Sequence, residues 1–522
     1  MTGSSGASGP DAGDAPNGRA ESRPGGGDGP RVPGDRAFFG QPIGLMTLFT
    51  TELWERFSYY GMRAILLYYL TDTLANGGLA LPQTTGLALV SIYGTSVYLL
   101  SVVGGWAADR LVGARRSTLY GGIVIASGHV SLSVPGVGFS AVGICLVAIG
   151  TGLLKPNVSS MVGELYARDD PRRDSGFSIF YMGINIGSLV APILVGVARD
   201  WGGYHAGFAV AAVGMAVALV FFVAGRRYLG AAGSAVANPI RPEEHRTLVR
   251  NGLVILAAIL VVLGVAALTT STGGLDVFIN TMSYLAFLAP ITYLTVMYRS
   301  PRVTVAERGR VLAYVPLFVG AMLFWMIFEQ AATTLSAFAQ DRTDRHVLGI
   351  GVSPEFFQSV NPASIIVLAP LFAWIWARTH DRPPTAYKFA MGLALGALSF
   401  VFLAAASAVV GDGLAPAWVL IVVYVIQTLG ELCLSPVGLA ATTLLAPKAF
   451  RSQALAVWFL AESAGQAITA QLVKATEGAS DTAYFGWIGA VTLVVALALW
   501  AVAPWVTRQI RRSDALEHAP IG

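Results

Sequence analysis

The sequence predicts an all-α membrane protein of fourteen crossing helices. Three observations predict it. Of its 522 residues 54% are hydrophobic and only 12% charged, with mean hydropathy +0.62, too apolar for a soluble chain of this length. Apolar windows of about twenty residues, long enough to span a bilayer core, recur along the chain. Lys and Arg fall in the gaps between alternate windows, where short cytoplasmic loops collect them.

In order, residues 1–36 hold ten Gly, five Pro and no aromatic residue, a composition that cannot offset ordering entropy. A disordered tail is expected over 1–38. It lacks the apolar stretch of a signal peptide, so the first hydrophobic helix is expected to direct insertion. The windows follow at 43–71, 84–110, 117–135, 139–166, 176–199, 206–228, 250–269, 275–298, 310–339, 355–377, 386–409, 416–445, 452–476 and 482–507. Placing the tail inside puts 27 of the 34 Lys and Arg on that side. Only Arg199, Arg342, Arg345 and Lys474 fall opposite, and Arg56, Arg63 and Lys155 lie within windows. Both termini are therefore expected in the cytoplasm, with an even number of crossings. Cys145 and Cys433 lie in distant apolar runs, which suggests neither a disulfide framework nor a metal cluster. A net charge of +4 gives no reason to expect a nucleic-acid partner.

The charges inside windows carry the chemistry. Glu52, Glu55, Arg56, Arg63, Lys155, Glu329 and Glu431 would together cost roughly 20 kcal/mol if left unpaired in lipid. They must pair or line water. Positions 52, 55, 56, 59, 60 and 63 share one face at 3.6 residues per turn, so the two acids, the two Arg, Tyr59 and Tyr60 look the same way. A static ion-pair lock would be dearer than apolar packing, which favours a functional pathway. Lys155 precedes Pro156, which removes a backbone hydrogen bond and kinks its helix. Glu329 and Glu431 come from the second half of the chain and oppose Arg63 and Lys155 from the first, suggesting ion pairs across a two-halved cavity. No HExxH, Walker A loop or Ser or Asp motif within a window suggests an enzyme.

These motifs resemble the proton-dependent oligopeptide transporter family, a branch of the major facilitator superfamily. ELWERFSYYG at 52–61 is similar to its first-helix E-x-x-E-R-F-x-Y-Y-G, and FYMGINIGSL at 180–189 to its F-Y-x-x-I-N-x-G-S-L. GTGLLKPN, FEQ and GELCLSPVGL resemble its patterns on helices four, seven and ten. GGWAADRLVGARRS at 104–117 resembles the superfamily's loop, with Asp109 and Arg110 at the inner mouth. The resemblance covers roughly residues 40 to 507.

It implies two six-helix bundles (39–230 and 306–510), a linker with two additional crossing helices (231–305), and a cytoplasmic tail from 511 to 522. It implies that Glu52, Glu55 and Arg56 form a proton-responsive cluster faced by Lys155, and that Arg63 and Glu329 close the outer side. A pocket would be lined by Tyr59, Tyr60, Tyr98, Asn185, Trp325, Asn361, Glu431 and Trp458, with Glu431 receiving a peptide's amino terminus and Arg63 and Lys155 its carboxylate. Basic groups on one half and acids on the other suit a zwitterion. The expected activity is import of di- and tripeptides by proton symport across the inner (plasma) membrane, by a monomer that takes protons as coupling ion and needs neither cofactor nor metal. The alternative keeps the fold and changes the cargo to nitrate or an amino-acid-like compound, against which Glu431 argues by repelling an anion. Two departures stand out. The 84–110 window has no histidine for proton handling, and Glu462 stands four residues after Trp458 where a small or polar residue is usual, as a second contact for an amino group or another proton site.

Overall fold

The computed structural model describes residues 37–517, apart from Arg168, Thr272, His380 and Asp381. The tail expected before residue 37 and the chain from 518 onward lie outside the described residues.

Continuous apolar sequence makes the long helices, because a segment in hydrocarbon must satisfy its own backbone. The first half contains α1 (Ile43–Thr71), α2 (Gln83–Ala107), α3 (Ala114–Leu132), α4 (Val137–Glu164) and α5 (Arg173–Gly225). The windows expected at 176–199 and 206–228 are both in α5, which breaks at Gly202 and Gly203, where φ reaches +75° at Gly203. Between α4 and α5, Arg172 Nη2 donates to Asp170 at 2.8 Å, and that hydrogen bond holds the Asp170 carboxyl below the usual carboxylate range. Then come α6 (His245–Thr269) and α7 (Gly274–Arg299). The second half contains α8 (Val305–Phe328), α9 (Thr334–Asp341), α10 (Val360–Arg378), α11 (Thr385–Val410), α12 (Ala417–Leu445), α13 (Ala454–Ala475) and α14 (Asp481–Glu517).

Among the described residues, ten helical segments are long and apolar enough to cross a membrane. The α1 helix has four ionisable residues along its length and is nevertheless buried over most of it. The window expected at 310–339 is not one helix. It stops at Phe328, turns tightly through Glu329–Ala332 and resumes as α9. The sequence at the break supplies replacements for the lost helical bonds: Gln330 donates to the Met326 carbonyl (3.0 Å), and Thr334 and Tyr484 donate to Gln330 (2.6 and 2.9 Å).

Helix α1 packs on α5, and α2, α3 and α4 pack together beside them. In the second half α11 packs on α12 and α14, and α8 on α13. Each half has its own apolar core. Close approach depends on glycine pairs, one in each half. A Cβ on Gly121 would sit 2.7 Å from the Gly150 carbonyl oxygen, and one on Gly392 2.7 Å from that of Gly430. We expect Gly392→Val to cost about 1–3 kcal/mol, read as a lower unfolding midpoint in detergent. Gly486→Ala, whose nearest neighbour is the Ala404 methyl at 3.6 Å, should leave the midpoint unchanged.

The halves meet along α2 and α13 and along α5 and α10. Helix α7 lies over the first of these seams, against both α2 and α13, and Lys474 donates to Asp276 at 2.6 Å. Helix α6 touches α7 and exposes almost all of its apolar surface, which suits a lipid-facing element.

Candidate functional site

The site begins on α1. Glu52, Glu55, Arg56 and Tyr59 are buried in one stripe. Arg56 Nε lies 2.5 Å from Glu55 and 3.1 Å from Glu52. Alignment is poor: Glu52 Oε2, both Glu55 oxygens and Arg56 Nε and Nη2 find no hydrogen-bond partner among the described residues. Two acids share one base here, so the cluster carries excess negative charge unless a proton joins it.

One turn further, Arg63 Nη2 pairs with the Glu329 carboxylate and also donates to its backbone carbonyl at 3.2 Å. The break after α8 places Glu329 here, on a tight turn at the seam. This ion pair joins the halves.

Lys155, half-buried on α4, makes no ion pair within 4 Å with the 52–56 cluster it was expected to face. Its Nζ lies 3.8 Å from the Tyr98 ring centre and 5.7 Å from that of Phe459. The reason is positional: Phe459 and Glu462 are one turn apart on α13, which packs against α2, the helix of Tyr98.

On the second half Asn361 bridges two groups, donating to Glu431 at 3.1 Å and to Thr428 at 2.9 Å. Trp325 and Trp458 meet edge to face at 6.4 Å, and the Trp325 indole N–H has no partner among the described residues. Tyr59 packs edge-on to Tyr60 at 5.2 Å. Asn185 donates to the Tyr181 carbonyl on its own helix (2.9 Å), so its amide is already engaged. Asp109 and Arg110 lie on the turn after α2. Arg110 pairs with Glu244, and the Asp109 carbonyl accepts from the Asn238 backbone (2.9 Å), so this motif grips the segment between the halves.

Sequence reasoning missed several cross-half links. Arg199 at the α5 break pairs with Glu355, which is fully buried, and with Asp200 at 2.8 Å. Ser359 donates to the Leu189 carbonyl at 2.8 Å, Tyr68 to that of Ser336 at 3.1 Å, and Gln83 to Asp341 at 3.0 Å. At the middle of the α2–α13 seam, Ser463 donates to the Thr95 carbonyl at 3.0 Å and Thr95 back to that of Ser463 at 3.4 Å. A signal for one existed. Arg199 is one of four cations against the prevailing charge asymmetry, and such a group needs an acid.

Comparison with known proteins shows which family this fold is similar to. The model of the POT family matches residues 115–491. A di-/tripeptide transporter of Lactococcus lactis subsp. cremoris is 42% identical over 475 residues, covering 89% of this chain and 96% of the relative. Among solved structures, a mutant of a peptide transporter POT in complex with alafosfalin superposes with a TM-score of 0.84 at 49% identity, covering 91% of this chain and 97% of that one. A POT family transporter in complex with 5-aminolevulinic acid gives 0.85 at 39% identity, covering 91% and 98%.

Proposed function

Because the chain belongs to the POT family, we propose that it carries di- and tripeptides across the membrane as a proton-coupled symporter. It is a multi-pass membrane transporter and not an enzyme. The observation that carries the coupling is the buried pair of Arg63 and Glu329, formed between halves that must separate on one side for the site to change its access.

Around the proposed site, five acids, Glu52, Glu55, Glu329, Glu431 and Glu462, stand with three bases, Arg56, Arg63 and Lys155. That excess of acid gives protons a place to bind when a zwitterion enters, and the proton gradient supplies the driving force. One Arg cannot fully satisfy a protein carboxylate and a ligand carboxylate at once. A proton on Glu329 releases Arg63, and one on an acid of the 52–56 cluster loosens Arg56; Arg63 and Lys155 then bind the peptide carboxylate, while Glu431 and Asn361 receive its amino terminus. Tyr60, Tyr98, Trp325 and Trp458 give walls that tolerate side chains of varied size. The apolar windows support fourteen crossings, the distribution of basic residues supports an even number with both termini in the cytoplasm, and the family resemblance supports an inner membrane and two bundles over 39–230 and 306–510. The reading needs no cofactor.

The protein in sealed liposomes should accumulate dialanine above the outside concentration when the lumen is made alkaline, and lose that accumulation when a protonophore is added. Uptake that stops at equal concentrations, with or without the gradient, would rule out symport. Unlabelled dialanine should displace bound labelled dialanine, and millimolar nitrate should not.

A further inference from the structure

The start of α3 and the end of α5 enclose a cleft of about 580 Å³ that plays no part in the transport site. Arg115, Arg116, Arg226 and Arg227 converge on it, beside Tyr120 and Phe222, and no carboxylate lines it. Arg115 holds the wall in place, donating to the Gly230 and Ala232 carbonyls at 2.8 and 2.6 Å. Arg227 is oriented by the Tyr228 hydroxyl at 2.7 Å. Arg116 and Arg226 donate to no acceptor among the described residues and are exposed. From the cleft the surface turns apolar: Val223, Phe221 and Val220 on α5 are exposed in sequence toward the middle of the bundle.

We propose that this cleft binds the phosphodiester headgroup of an anionic phospholipid on the face that carries the termini. A charge asymmetry that merely orients the chain needs Lys and Arg in a loop. It does not need four guanidinium groups gathered in one concavity with two of them unpartnered. Arginine pairs with phosphate oxygens by two parallel hydrogen bonds, Tyr120 lies one helical turn beyond Arg116 on α3 as an interfacial aromatic residue would, and the exposed apolar strip below is where acyl chains would lie. A soluble phosphate would leave that strip unused. The inference rests on the membrane-crossing reading and not on peptide specificity, so it stands or falls independently of the cargo.

The test is native mass spectrometry of the full-length protein in detergent, titrated with dioleoylphosphatidylglycerol or dioleoylphosphatidylcholine. Phosphatidylglycerol should bind and phosphatidylcholine should not. The double variant Arg116→Gln/Arg226→Gln should bind phosphatidylglycerol roughly tenfold more weakly. The double variant Arg299→Gln/Arg302→Gln, which changes net charge equally elsewhere on the same face, should bind within twofold of the parent. Because Arg116 and Arg226 make no bonds within the protein, their replacement should leave the unfolding midpoint in detergent unchanged, which confirms folding. Undiminished binding in the cleft variant, or equal loss in the control, overturns the proposal. So does inorganic phosphate that displaces the lipid at low millimolar concentration, which would make the cleft a soluble-anion site.

Discussion

Glu329→Gln is expected to abolish proton-driven accumulation of dialanine while leaving exchange of peptide across the membrane intact. Glutamine keeps the shape of the protonated acid and cannot ionise, so Arg63 is permanently released from its charged partner. With no proton carried in each cycle the pH gradient no longer drives uptake, so the accumulation ratio should fall to about one. Counterflow, in which internal unlabelled dialanine drives entry of labelled dialanine, needs no net proton movement and should persist. Wild-type accumulation with wild-type pH dependence in Glu329→Gln would remove Glu329 from the coupling path.

The second large effect is expected at Glu355. It is fully buried and pairs across the seam with Arg199. Glu355→Gln removes that charge, and because Arg199 keeps Asp200 at 2.8 Å the loss should lie near the low end for truncating one partner of a buried charge pair, about 2 kcal/mol. A change of that size moves the ratio of closed to open forms at this end by roughly thirtyfold. A probe can be placed at Ala64, a buried small residue whose carbonyl accepts from Gln358 across the seam at 3.5 Å. With Cys145→Ser and Cys433→Ala as background, maleimide labelling of Ala64→Cys should be slow in the parent and about tenfold faster or more with Glu355→Gln. Equal labelling rates would show that the pair does not hold this end shut.

Much of this was legible in the sequence for a plain reason: bilayer solvent imposes long apolar runs, and any charge within such a run must have a purpose. Glu329 stands out as an acid in an otherwise apolar run, whereas its pairing with Arg63, one of four charges in its own window, came from the family resemblance. The stripe on α1 followed from helical periodicity. What escaped was whatever depended on the second half folding around a helix break. Periodicity through 310–339 is uninterrupted, and Gln330, Thr333 and Thr334, which mend the broken helix with their side chains, read as ordinary polar residues. Lys155 was assigned to the right interior, but its orientation toward Tyr98 and Phe459 depends on how α13 lies on α2, a tertiary fact without local signature. Glu355 was hidden because it begins its window, where an acid looks like a loop residue.

The reciprocal Thr95 and Ser463 bonds lie near the middle of α2 and α13. Small hydroxyl side chains meet main-chain oxygens there, so the joint works as a fulcrum. From Thr95 to Gln83 the lever arm is about 18 Å at 1.5 Å rise per residue, and a tilt of about 10° would carry its tip roughly 3 Å. That stroke is comparable to the length of the Gln83–Asp341 hydrogen bond, and the same rotation pulls on Arg63–Glu329 and Arg199–Glu355. A rigid rotation of one half would load these clasps in parallel, which would make their release an all-or-none event.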